Sequence, residues 1–366
     1  MKFSIKKEDV LEELQLLQGI VEKRNTMPIL ANVLITVSEN EVEMVGTDLE
    51  VGLKTHFPAH TEEPGAVTVS GKKLFEIVKS LGEEKTVIFE EKSDNMIEVT
   101  AEESQFKILC LPREDYPQVP EPRFERKIRI PLAILKEMID RVYYAITQEH
   151  RYYLSGALLI LKDKSIELVS TDGHRLAYTQ KAVDDISPEK EIRVIVAKKT
   201  LGELRKMNDE LVEFDLDESN LFFRVKNRTL ISRIIEGKFP HFEEVIPKDN
   251  PHLAVVGKEE IMNAIRRVSL LSTERSRGVV FSFGKNQIRL FSSNPEMGEA
   301  RDRVKAEYTG VEMEMGFNSQ YVLDFLSAVK SEKIQLSLKD DNSATLMKPD
   351  VEEEINFLYV LMPMKI

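Results

Sequence analysis

The sequence is poor in the residues that covalent or cofactor chemistry draws on: its 366 residues include one cysteine and no tryptophan. Cys110, alone, cannot close an internal disulfide or build a cysteine-based metal cage, and a lone cysteine of this kind is expected to be a small buried hydrophobe. Long apolar runs are missing too. Residues 157–161 and 357–362 are short beside the roughly 18 apolar residues of a membrane span, so an integral membrane protein is excluded and no membrane partner is expected. The opening MKFSIKKEDV carries lysines with no apolar stretch behind them, because Glu8, Asp9, Glu12 and Glu13 follow; this predicts a cytoplasmic address without a secretory signal. Neither G-x-G-x-x-G nor G-x-x-x-x-G-K-[ST] occurs, and the segment from Gly65 to Gly71 and Lys72 is too long to cradle a phosphate as a P-loop does. The six histidines are scattered, none of them in H-E-x-x-H or beside cysteine at ligand spacing. No metal or other cofactor is therefore expected. Ser70-Gly-Lys-Lys73 has the S-x-x-K form but lacks its S-D-N and K-T-G companions, and chance accounts for it. With 42% hydrophobic and 31% charged residues, the composition excludes a disordered, collagenous or disulfide-scaffold chain.

What the sequence does contain is a pattern read three times. Ala31-Asn-Val-Leu-Ile-Thr-Val, a turn at Glu39-Asn40 and Val42-Glu-Met-Val-Gly-Thr-Asp48 form the first copy. Gly156-Ala-Leu-Leu-Ile-Leu, a turn at Asp163-Lys164 and Ile166-Glu-Leu-Val-Ser-Thr-Asp172 form the second. Gly278-Val-Val-Phe-Ser-Phe, a turn at Gly284-Lys285-Asn286 and Ile288-Arg-Leu-Phe-Ser-Ser-Asn294 form the third. The spacing is close to one third of the 366 residues, so the repeat accounts for the whole chain. Alternating apolar and polar residues around a turn predict an antiparallel hairpin with one buried face. Ahead of each hairpin lies a helical pattern: Val10, Leu11, Leu14, Leu17 and Val21; Leu132, Leu135, Ile139, Val142 and Ile146; Ile261, Ile265, Val268 and Leu271. A second short helix follows, at 72–81, 198–207 and 319–329, and strand-like runs close each unit. The predicted class is α+β, three tandem units of two helices on a largely antiparallel sheet, with domains at 1–120, 124–246 and 247–366. Proline-rich linkers are expected at 112–122 and 247–251.

The net charge is −12, from 51 basic and 63 acidic residues, which argues against a tight DNA binder by bulk charge. Its distribution differs. The short second helices carry cations two turns apart on one face: Lys72 with Lys79, Lys198 with Arg205, Lys199 with Lys206. Arg266 and Arg267 mark the first helix of the third unit, and Lys23 and Arg24 end that of the first. Solvated surface helices would explain each set singly, but three comparable sets suggest a shared basic surface on an acidic body.

One segment crowds reactive residue types, Ser170-Thr-Asp-Gly-His-Arg175. Catalytic triads assemble from distant residues, whereas Asp-Gly after a strand is first a turn signal. Thr47-Asp48 and Ser293-Asn294 stand at equivalent places without a histidine, so hydroxyl and Asx side chains are expected to close a repeated turn by bonding backbone. Gly173, His174, Arg175 and Leu176 are then additions in the middle unit, more suited to binding than to catalysis. The chain end is the second oddity. Phe357 to Leu361 reads as a last strand in its own sheet, and Met362-Pro-Met364 beyond it offers an adaptable apolar surface.

Over its whole length the sequence resembles the bacterial sliding clamp family, the beta subunit of DNA polymerase III. The resemblance rests on Thr26-Met-Pro-Ile-Leu30, Gly46-Thr-Asp-Leu-Glu50, Arg151-Tyr-Tyr-Leu-x-Gly156, Thr171-Asp-Gly-His-Arg-Leu176, Gly237-Lys-Phe-Pro240, Phe317-Asn318 with Tyr321-Val-Leu-Asp324, and Tyr359-Val-Leu-Met-Pro-Met364. It implies the DNA clamp fold, a head-to-tail homodimeric ring around double-stranded DNA that holds DNA polymerases, the clamp loader and repair proteins through short linear motifs, without chemistry of its own. Six two-helix units with axes about 9 Å apart give a ring roughly 34 Å across, and removing one helix width of about 10 Å leaves on the order of 24 Å, enough for a duplex. The family's partner-peptide pocket falls on Leu154, Thr171, Gly173, His174, Arg175, Leu176, Pro240, Val245, Val360, Met362, Pro363 and Met364. Glu244 stands where the family often has a basic residue and Asn342 where an apolar one is usual. The resemblance puts Arg24, Gln148, Arg151 and Tyr153 near DNA, beside the helical cations Lys72, Lys79, Lys198, Lys199, Arg205, Lys206, Arg266 and Arg267. It puts Phe106, Ile108, Leu270 and Leu271 at the subunit interface, with Lys73 opposite Glu299 or Asp302, where Gly298 and Arg301 depart from the family's acidic run. Two other readings stay open on the residues alone: a hydrolase using His174 with Asp172, and a protein scaffold that never meets nucleic acid.

Overall fold

The computed structural model describes the chain apart from residues 22–26, 84, 93–94, 125–126, 148–151, 274–276 and 366. The helices expected from periodicity are present as α1 (Lys7–Ile20), α2 (Gly71–Ser80), α3 (Leu132–Val142) and α4 (Lys198–Leu204), then α6 (Lys258–Ser269) and α7 (Ser319–Ala328) after one unexpected turn of helix, α5 (Phe242–Val245). Their starts follow local chemistry. Glu8 and Asp9 lie in the first turn of α1, against the positive end of its dipole. The Ser70 side chain accepts from the Lys73 N–H to cap α2, and Asn318 accepts from Gln320 and Tyr321 to cap α7. Val10, Leu14 and Leu17 of α1 and Ile261, Ile265 and Val268 of α6 are buried, the faces anticipated from spacing. Among the described residues no helix is long and apolar enough to cross a membrane.

Contacts group the chain into two compact units, residues 1–133 with 199–234, and 134–198 with 235–366. The described strands of the first unit form one 13-stranded sheet and those of the second one 12-stranded sheet. Neither unit is a sequence repeat, because each sheet runs on from one repeat into the next. In the first unit the strand Arg228–Arg233 pairs antiparallel with Val51–Pro58, setting Ser232 against Val51 and Leu230 against Leu53. In the second, Asn356–Leu361 pairs with Arg175–Ala182, setting Leu361 against Arg175 and Tyr359 against Ala177. The closing strand lies in its sheet as expected, paired with Thr345–Pro349, and is held by a strand of the middle repeat as well. Backbone hydrogen bonds carry these joints, and hydropathy period is blind to which strand lies alongside which.

The threefold pattern is a structural repeat as well. Ser170 Oγ donates to Val142 O at 2.5 Å, and Ser292 Oγ to Val268 O at 2.6 Å, tying hairpin to helix in the same way. The first repeat has Gly46 at that place, where a Cβ would meet the Leu17 side chain at 3.0 Å. In the 112–122 linker, Tyr116 is buried and its hydroxyl donates to Val45 O at 2.9 Å, so that stretch is anchored. Cys110 is only half-buried, on the strand Ser104–Leu111, where burial pushes its thiol up to about 11; the expected fully buried hydrophobe is corrected accordingly.

Candidate partner pocket and cationic helices

The crowded segment of the second unit is a hydrogen-bonded turn. Thr171 Oγ1 donates to Arg175 O at 2.6 Å and accepts from the Gly173 N–H at 3.1 Å. Asp172 Oδ1 accepts from the N–H groups of His174 (3.0 Å) and Arg175 (3.1 Å). The first unit repeats it: the Leu49 N–H donates to Thr47 Oγ1 at 3.0 Å, and Glu50 and Val51 donate to Asp48 Oδ1 at 2.9 and 2.6 Å. The hydroxyl and Asx side chains close the turn as expected. The second Asp172 oxygen accepts from Arg175 Nε at 2.9 Å. Both oxygens are occupied, so Asp172 is not placed to orient an imidazole, and among the described residues no carboxylate pairs with the exposed His174 side chain as a hydrolytic pair would need.

Arg175 is the hub of this region. Its guanidinium donates to Asp324 at 2.6 Å and to the Tyr144 carbonyl at 2.6 Å, and it lies 4.1 Å from the centre of the Tyr321 ring. Tyr359 donates its hydroxyl to Tyr321 O at 2.9 Å, so the closing strand is locked to the same point. Tyr144, Tyr321 and Asp324 are the residues that local reasoning missed; each is distant in sequence, and the only hint was that Tyr321 and Asp324 belong to a family motif.

The turn and the chain end meet. Val360 pairs with Leu176, and the Met362 N–H donates to His174 O at 2.9 Å. The Met364 N–H continues to Gly316 O at 2.8 Å. Leu176 and Val360 join a cluster with Leu158, Tyr178 and Phe242, and Phe242 opens α5, bringing the segment from Pro240 to Val245 to this cluster. Leu154 is buried just before Gly156, and Gly237, at a φ of +131°, passes where a Cβ would lie 3.0 Å from the Tyr153 Cβ, a path open to glycine. Thr171, Arg175, Leu176 and Val360 form the buried base; Gly173, His174, Pro240, Val245 and Met362 are exposed, with Pro363 and Met364 half-exposed. An apolar floor beside exposed methionine, proline and valine suits a short apolar peptide segment.

The cations are less uniform than their spacing suggested. Lys199 donates to Ile20 O at 2.7 Å and to the Asp48 carboxylate, and Lys206 to Glu203 at 2.7 Å. Lys198 donates to Ile146 O at 3.0 Å, and burial, followed by the Arg175 charge, holds its ammonium below the usual lysine value. On α2, Lys72 and Lys73 flank Glu76 at 3.7 and 2.8 Å, and Lys79 lies 5.5 Å from the Phe75 ring. Arg267 donates to Asp302 at 2.8 Å, while Arg266 is exposed with no ion pair among the described residues. Arg205 and Tyr153 are exposed; Arg24, Gln148 and Arg151 lie outside the described residues. Phe106, Ile108 and Leu271 are half-buried, Leu270 is exposed, and Glu299 pairs with Arg301 of its own chain at 3.1 Å.

Three α+β repeats, a strand joint made twice and a repeated turn that meets the chain end define the clamp fold. Family models agree: residues 1–120 match the N-terminal domain of the DNA polymerase III beta subunit, 129–241 its central domain and 243–365 its C-terminal domain. The beta sliding clamp of Pseudomonas putida is 34% identical over 374 residues, covering 100% of both chains, and that of Escherichia coli K12 is 32% identical over 371 residues with the same coverage. Among solved structures, the Pseudomonas aeruginosa sliding clamp bound to griselimycin matches with a TM-score of 0.93 at 33% identity, covering 100% of both chains. The Bacillus subtilis clamp matches with a TM-score of 0.94 at 27% identity, covering 100% of this chain and 99% of the other. The chain belongs to the DNA polymerase III beta subunit family.

Proposed function

We propose that this protein is a sliding clamp of the bacterial cytoplasm: a homodimeric ring of six domains, at 1–120, 124–246 and 247–366 of each copy, that encircles duplex DNA and tethers polymerases to it. The full-length family match carries the reading, and the apolar cluster of Leu176 and Val360 beside the exposed Val245 and Met362 supports it. Phosphate contacts carry no sequence information, so exposed cations such as Lys72, Lys79, Arg205 and Arg266 would touch the backbone transiently and let the ring slide. The engaged Lys198, Lys199 and Lys206 would add field more than contact. The acidic remainder keeps DNA off other surfaces. Replicative and repair polymerases and the clamp loader would compete for the pocket around Leu176, Val360 and Met362, each offering a few apolar anchors on a short linear segment. No cofactor and no membrane enters this cycle, and the protein performs no reaction.

The test is topological. After loading, the protein should remain on closed circular DNA through gel filtration and leave when the circle is cut once. Equal retention on circular and linear DNA would refute encirclement. The hydrolase reading has no observation in its favour, given the occupied Asp172 carboxylate.

A further inference from the structure

Ser170 and Ser292 tie one face of their hairpins to the helices, so the residues beside them in sequence point to the opposite, outer face. That outer face is covered in two repeats. In the first, Leu34 and Val45 pair across the hairpin, and Tyr116 and Val119 of the following linker pack on them. In the second, Leu158 and Val169 pair in the same way, and Phe239 and Phe242 of the next linker pack there. Each cover is also pinned by charge: Lys54 of the first sheet meets the linker's Glu121, and Arg193 of the second meets Glu243 at 3.0 Å. One chemistry thus recurs, an aromatic residue followed by proline at Tyr116-Pro117 and Phe239-Pro240, with a carboxylate a few residues on.

The third repeat has the receiving face without the cover. Counted back from the turn, Phe291 stands where Val45 and Val169 stand, and it pairs with Val280 as they pair with Leu34 and Leu158. Phe291 and Val280 are half-buried and floor a concavity of about 810 Å³. Among the described residues its lining comes from the sheet's own strands alone, Gly278–Gly284, Gln287–Asn294, Gly298–Tyr308 and Met313–Asn318.

The charges of this face match the cover as well. Arg301 lies opposite Phe291 as Lys54 lies opposite Val45. Arg289 and Arg303, both exposed, lie directly opposite each other, where the first two repeats set Glu43 against His56 and Glu167 against Gln180. Like charges face to face destabilise a sheet, and neither guanidinium has an ion-pair partner among the described residues. A guanidinium fork takes a carboxylate in two parallel hydrogen bonds, so carboxylates arriving here relieve the repulsion. Peptide is favoured over nucleic acid on two counts. The Glu314 carboxylate, held by Ser282 Oγ at 2.7 Å, lines the same concavity and repels phosphate, and Arg301 already lies 5.3 Å from the centre of the Phe291 ring on which a base would stack.

We infer that this face is a second docking site, for an acidic segment of a partner protein in which an aromatic residue and a proline sit beside two or more carboxylates. The segment takes the place that the linkers take on the other two repeats, its ring on Phe291 and Val280 and its carboxylates on Arg289 and Arg303. The site shares no lining residue with the pocket around Leu176 and Met362, and it does not depend on that pocket binding peptide.

The chain supplies its own probe. A fluorescein-labelled peptide with the sequence of residues 113–121, added to the full-length protein, should bind with a dissociation constant below about 1 mM by fluorescence polarisation. The same peptide carrying Glu114→Lys, Asp115→Lys and Glu121→Lys should bind at least about tenfold more weakly. Arg289→Glu with Arg303→Glu, and separately Phe291→Ser, should each weaken the unaltered peptide by a similar factor, with an unchanged thermal midpoint showing that the fold is intact. Met362→Ala with Met364→Ala should leave its affinity as it was. Loss of binding in that methionine variant overturns the second site and leaves the pocket reading standing. No binding of the unaltered peptide, or equal binding of the charge-reversed one, overturns the proposal too. A labelled single-stranded oligonucleotide that binds through Arg289 and Arg303 where the peptide does not overturns it in favour of nucleic acid.

Discussion

The turns at Thr47-Asp48 and Thr171-Asp172 share a backbone design and differ in everything attached to it. Both use a threonine hydroxyl and an aspartate oxygen to satisfy the same N–H groups. In the first unit the free oxygen of the aspartate is met by Lys199, a half-exposed lysine from α4. In the second it is met by Arg175, which is buried and reaches Asp324 as well. The left-handed residue is Leu49 at a φ of 77° in one and Gly173 at 91° in the other. The hydrogen bonds define the turn, so the residues they do not use are free to differ, and in the middle repeat the turn meets the chain end through His174 and Met362.

The largest expected effect separates the two cations. Arg175→Met takes a buried guanidinium from two half-buried carboxylates, Asp172 and Asp324, and should cost about 3–5 kcal/mol in urea unfolding, whereas Lys199→Met takes a half-exposed ammonium from the single carboxylate of Asp48 and should cost less, about 1–2 kcal/mol. Equal costs would mean that the two turns are held alike. Gly173→Val places a branched residue in the left-handed region and should cost about 1–2 kcal/mol, measured the same way. Met362→Ala with Met364→Ala should weaken a polymerase-derived peptide about tenfold by calorimetry while sedimentation shows an unchanged dimer. Unaltered affinity would remove these methionines from the pocket. Leu49→Gly, the reverse of the glycine test, should be neutral or stabilise by up to about 1 kcal/mol.

The smallest effect belongs to the first unit alone. Burial works to raise the Glu213 carboxyl, but hydrogen bonds from Lys127 and Arg224 outweigh it and hold it at about 2, against an ordinary 4.5. A depressed carboxylate stabilises fully above its unfolded value, and that contribution is lost as pH falls from 4.5 toward about 2. Glu213→Gln should therefore flatten this part of the stability curve, read as thermal midpoints at several acidic pH values. An unchanged slope would show that other groups dominate acid unfolding.

Much of the site was legible locally. The Thr-Asp turn, its likeness in two repeats and the oddity of an apolar chain end are features of short segments, and the structure joins them through Met362 and His174. The cations were read only in part, since spacing puts Lys199 on a helix face but says nothing of Asp48, a distant residue that engages it. Arg175 was named for its place in a motif, while its anchors Tyr144, Tyr321 and Asp324 come from three other segments.

By itself the sequence determined the helices, the hairpins and their threefold recurrence, because period and turn chemistry act between neighbours along the chain. Tertiary structure decided where the sheets run on, so that compact units cut across the repeats, and which charges are spent inside the protein. Strand adjacency and ion pairing depend on distances in space between residues far apart in sequence, and no local pattern encodes those distances.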